Sequence, residues 1–66
     1  MLHNQQPIDA ALRSLLDAGT TLPDALRHLH FEKGIGKLWL VEAVVAATGM
    51  DRREAQELVV HETFKG

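Results

Sequence analysis

Four histidines, His3, His28, His30 and His61, and nine carboxylates are the residues of this 66-residue chain that could hold a metal or move a proton. His28 and His30 are two positions apart, so on a helix they project about 200° from one another and cannot share an ion. His28 and Glu32 have i,i+4 spacing and could supply two ligands, which is short of the three or four protein ligands a zinc site uses. With no cysteine in the chain, no thiolate completes the set and no disulfide can form. The expectation is no metal and no cofactor, the histidines being ordinary surface or half-buried side chains.

Acid–base catalysis needs a pocket as well as titratable groups. Asp17, Asp24, Glu42, Glu54 and Glu57 all fall where helix surfaces or helix caps use carboxylates. There is no tyrosine, and the lone serine, Ser14, lies inside a helical pattern rather than on a turn. No phosphate-binding glycine loop is present, since G-I-G at 34–36 lacks the rest of any such motif. No catalytic residue is assigned, and an enzyme is not expected.

The stretch T-G-M-D-R-R-E-A-Q-E-L-V, 48–59, is harder to dismiss. Asp51 and Glu54 have the spacing of a capping box. Arg52 and Arg53 then occupy the first helical turn, where the helix dipole disfavours positive charge by a few tenths of a kcal/mol each. Local helix stability therefore does not explain them. Either they pair with carboxylates such as Asp17 and Asp24 at the same end of a bundle, or they serve an anionic or acidic partner. Trp39 and Phe31 are the other side chains that could anchor a partner, because aromatic residues carry much of the energy at binding hot spots. Gln56 is their neighbour on the same helix as the arginines.

The elements that would hold these residues are marked by glycine and proline. Pro7 opens a helix with Ile8, Leu12, Leu15 and Leu16 at helical spacing, and Gly19 ends it. Thr21, Pro23 and Asp24 start a second, with an apolar stripe of Leu22, Ala25, Leu26 and Leu29 that stops at Gly34. The third, from Lys37 to Thr48, carries one charge, Glu42, between Leu38 and Ala47, and is apolar nearly all round. The fourth begins at Asp51, with Ala55, Leu58, Val59 and Phe64 facing inward. The fold expected is all-α: one small domain, 1–66, with four short helices at about 7–18, 21–33, 37–48 and 51–64. The third would be the hub.

The hairpin at 41–59 resembles two known designs. As a helix-turn-helix, Val45 takes the small inward position, Gly49 the turn, Ala55 the buried position of the second helix, and Arg52, Arg53 and Gln56 its exposed reading end. It also resembles the first two helices of the C-terminal domain of the bacterial ribosomal stalk protein family, whose pattern is V-I-K-A-V-R-x-A-T-G-L-G-L-K-E-A-K-x-L-V. Val41, Ala43, Val44, Ala47, Thr48, Gly49, Glu54, Ala55, Leu58 and Val59 fall in register, with Met50 for Leu and Arg53 for Lys. Asp51 and Arg52 depart from the family's Gly and Leu. The likeness covers about a third of the chain, and the strands of the family's α/β domain have no counterpart. It implies a hairpin surface that docks protein, with Arg53 on it.

A net charge of −2 argues against a chain that binds nucleic acid over its whole surface. The opening M-L-H-N-Q-Q-P-I-D has neither a basic nor an apolar signal region, and no apolar run approaches the roughly 20 residues that span a bilayer. A chain this short buries little surface, and a second copy is a common remedy. The function expected is a non-catalytic protein-interaction or adaptor module, cytoplasmic, forming a homo-oligomer through its third helix. The partner-binding residues would be Arg52, Arg53, Gln56, Trp39 and Phe31. The alternative is a nucleic-acid-binding helix-turn-helix protein reading through the 51–58 helix.

Overall fold

The computed structural model describes residues 5–64. Among them the chain forms four helical segments and no strand: α1 (Gln5–Asp17), α2 (Leu22–Arg27, continued by a π-helical turn His28–Glu32), α3 (Lys37–Thr48) and α4 (Arg52–Thr63). The all-α bundle expected from the sequence is the fold.

Four boundaries have a clear chemical cause, while α1 begins at Gln5, two residues ahead of the expected start at Pro7. Gly19, at φ 96°, closes α1 in a Schellman motif, its N–H donating to the Leu16 carbonyl and that of Thr20 to Leu15. The Thr21 hydroxyl accepts from the Asp24 N–H at 3.4 Å to begin α2, with Pro23 in the first turn where no N–H is needed. Gly49, at φ 74°, ends α3 by donating to the Val45 carbonyl at 2.9 Å. Thr48 bridges the same turn, its hydroxyl donating to the Val44 carbonyl and accepting from the Met50 N–H. One Asp51 carboxylate oxygen then accepts from the Arg53 N–H at 3.0 Å and opens α4. The bond goes to the Arg53 amide at the second helical position, not to the Glu54 N–H that the expected capping box uses.

The second helix is not one regular α-helix. From His28 it widens into a π turn, which closes with the Gly34 N–H on the His30 carbonyl and the Ile35 N–H on the Leu29 carbonyl. The widened turn carries the chain past Gly34 (φ 71°) so that Ile35 joins Leu29 in the core.

The core is built by Ile8 and Leu12 of α1, Ala25, Leu26 and Leu29 of α2, Ile35, then Leu40, Val41, Ala43 and Val44 of α3, and Ala55 and Val59 of α4. α3 is the hub, packed mainly on α1 and α4, while α2 crosses to α4. Burying a leucine or valine side chain contributes about 1.5–3 kcal/mol. The hub is better covered than its composition suggested. Trp39, Val45 and Ala47 are half-buried against the core, and its large uncovered residue is Leu38, 79% exposed. The expected inward position of Phe64 is corrected: Thr63 is buried instead, its hydroxyl donating to the Val59 carbonyl, and Phe64 is 70% exposed. Val59 and Thr63 are four apart and share a face, whereas Phe64 is the C-cap, where the backbone turns extended (φ −74°, ψ 128°) and leaves the helix.

Candidate interaction surface

α3 and α4 run back to back from the Gly49 turn, so the start of α3 lies beside the end of α4. Their shared outer face collects three of the four large exposed apolar side chains among the described residues: Leu38, Val60 (45% exposed) and Phe64. Val60 is on α4, and Phe64, four residues on, caps its C-terminal end. Leu38 and Val60 line a groove of about 200 Å³ whose floor includes the buried Val41 and whose edges are Lys37, Arg52 and Gln56. Along α4 the same face continues as Arg53, Gln56, Glu57, Val60, His61 and Phe64, the i, i+3, i+4 stripe of a single helix side.

The two arginines that sequence reasoning singled out have different surroundings. Arg52 reaches back across the turn and holds both oxygens of Glu42, with Nη2 donating to Oε1 at 3.0 Å and Nη1 to Oε2. This corrects the expected pairing with Asp17 or Asp24. Asp24 is taken by Arg27, which also donates to Glu62 of α4 at 2.5 Å. The Arg53 guanidinium has no ion-pair partner among the described residues, and only its backbone N–H is engaged, by Asp51. Gln56 is exposed on the groove edge.

The two aromatic candidates lie apart from this face. Trp39 is half-buried against the core, with Cδ1 3.5 Å from where a Cβ on Gly36 would stand. Phe31 sits on the π turn, 44% exposed and edge-on to His30, with ring centroids 4.8 Å apart at 76°. The His30 Nδ1 lies 2.8 Å from the Ile35 carbonyl, which only accepts, so this nitrogen carries the proton. That bond fixes the ring against the turn. Sequence reasoning missed Leu38, Val60 and Phe64 as surface residues. The signal available was the α4 period itself, which turns Val60 about 100° away from Val59 and off the Ala55–Val59–Thr63 stripe.

For metal chemistry, no group of three or more histidine, aspartate or glutamate side chains capable of holding an ion converges among the described residues. His28 and His61 stand exposed on separate helices, and His3 lies outside the described residues. No described helix is long and apolar enough to cross a membrane. The arrangement offers apolar area and hydrogen-bonding edges. Compared with family models, with curated proteins and with solved structures, the chain finds no significant match.

Proposed function

We propose that this protein is a small non-catalytic interaction module that self-associates, and that its docking face is the seam between α3 and α4. The observation that carries the reading is the cluster of Leu38, Val60 and Phe64 beside the groove floored by Val41. Scattered surface hydrophobes need no explanation, but contiguous ones rimmed by polar groups mark association sites. Here the rim is Lys37, Arg52, Arg53, Gln56 and His61. The hub helix alone was the sequence-based reason to expect a second copy. Most of it is covered within the chain, and the uncovered apolar surface is shared with α4.

The rim residues divide by role. Arg53 has no ion-pair partner among the described residues and suits an acidic group at the edge of a docked surface. Arg52 is held by Glu42, so its guanidinium serves first to tie α4 to α3. Trp39 supports the start of α3 from the core side, and Phe31 belongs to a separate turn. A duplex-binding reading gains less from this geometry. A recognition helix needs its first-turn cations free for phosphate and base edges, and Glu42 occupies one of them while Glu54 and Glu57 stand exposed on the same helix.

Sedimentation equilibrium over a range of concentrations tests the proposal. A monomer–dimer equilibrium in the micromolar to millimolar range is expected. A strict monomer throughout contradicts self-association.

A further inference from the structure

The docking face carries both a projecting ring and a groove able to take one, and they are placed symmetrically about a single residue. Phe64, the C-cap of α4, lies four residues after Val60, and Gln56, on the groove edge, lies four before it. The groove is about 200 Å³ with Leu38 and Val41 among its walls, and a cavity on the order of 150 Å³ lined by apolar side chains takes a benzene ring. The ring does not fill its own groove, being 70% exposed.

We infer that two copies pack α4 against α4 antiparallel about a two-fold axis at Val60, each Phe64 entering the α3–α4 groove of the other copy. This rests on the self-association reading and specifies its geometry. A two-fold at Val60 sends every α4 position an equal number of residues to the other side, so Val60 meets the partner's Val60 and Phe64 meets the partner's Gln56. Both insertions occur in one operation. The interface is therefore isologous and closes as a dimer, with no ring or groove left over to propagate a fibre. Leu38, beside Val60 at the groove mouth, widens the apolar centre. Among the described residues of α4, no like charges are opposed in this register. Glu57 falls level with the partner's Thr63, which faces its own core, and Arg53 lies past the end of the partner's α4. Lys37, on the groove edge, stands near the incoming ring, where a cation is favourable.

The contact is small. A specific interface covers about a tenth of a small protein's surface, and here the whole described surface is 4453 Å². The dimer therefore belongs to the weak, reversible class.

Cysteine chemistry tests the axis directly, because the chain contains no cysteine of its own. A residue on a two-fold axis meets its own copy, so V60C should oxidise to a disulfide-linked dimer much faster than R13C, whose site on α1 is exposed and remote. F64A should weaken association at least tenfold by sedimentation while its circular dichroism stays that of the parent, since the ring is exposed and the fold does not use it. The geometry is overturned if V60C cross-links no faster than R13C, or if F64A associates like the parent. In either case a parent chain that still dimerises leaves self-association standing on another face. A parent chain that is monomeric at every concentration overturns both.

Discussion

Arg52 and Glu42, ten residues apart, meet as a two-pronged ion pair that spans the α3–α4 turn. A first-turn arginine works against the helix dipole, and the opposing carboxylate comes from the preceding helix rather than from its own. The pair holds the hairpin at the edge of the groove and removes one of the two cations from the surface available to a partner.

Both side chains are well exposed, 60% and 40%, so solvent screening limits the pair to about 0–1 kcal/mol. R52A is expected to change stability by less than about 1 kcal/mol, because the lost pair is offset by relief of the dipole cost. A double-mutant cycle of R52A with E42Q, read by thermal melting at low and high salt, should give a coupling that shrinks with salt. A coupling of several kcal/mol would mean the pair is buried in a way this fold does not provide.

Two leucines on the same helix, two positions apart, should respond oppositely. Leu40 is fully buried and Leu38 is 79% exposed. L40A is expected to cost about 2–5 kcal/mol, a large part of the roughly 3–10 kcal/mol available to a domain of this length. L38A should stay within about 0.5 kcal/mol in dilute solution, where no second copy is bound. Urea melts of both variants check this. Comparable losses at the two positions would contradict the burial pattern.

Glycine substitutions should separate by backbone conformation. At Gly49, φ is 74° and an added Cβ would meet nothing within 4 Å, so the cost of G49A is the left-handed backbone alone, about 1–2 kcal/mol. Gly36 caps α3 with φ −69° and no side-chain bond. G36S supplies the missing hydroxyl acceptor and is expected to stabilise by a few tenths of a kcal/mol. Thermal melts decide both signs, and a G49A variant as stable as the parent would contradict the assigned turn.

Helix boundaries were readable because glycine, proline and capping side chains act within a few residues of themselves. Gly19, Thr21, Gly34, Gly49 and Asp51 each do in the fold what their local chemistry suggested. The buried stripes of α1 and α2 followed from helical period. What was not readable depends on distances across the fold. Arg52 chose Glu42 over Asp17 and Asp24 because the tight Gly49 turn brings α3 alongside, while Arg27 claims Asp24 from one turn away. The π turn at His28–Glu32 leaves no mark in an apolar pattern, since Leu29 faces the core either way. Phe64 differs for another reason: its apolar character points to the core, but α4 ends at Thr63 and leaves Phe64 as an exposed C-cap. The exposed cluster of Leu38, Val60 and Phe64 was thus hidden behind one residue assigned to the core.

Duplex DNA provides a contrasting expectation. Phosphate binding scales with the number of free cations engaged and falls steeply with salt. With Arg52 paired and Arg53 the free guanidinium at the start of α4, little or no retention of duplex DNA is expected even at low salt. A salt-dependent mobility shift that R53A abolishes would favour the helix-turn-helix reading over docking.

The central claim is that the α3–α4 seam is the surface on which this protein associates. Amide chemical shifts of the isotope-labelled chain, followed by NMR as it is concentrated, test it most directly. The amides of Leu38, Gln56, Val60, His61 and Phe64 are expected to move together along one saturable curve, while those of α1 and the His28–Glu32 turn stay in place. Shifts confined to α1 and that turn, or no concentration dependence at all, would contradict the claim.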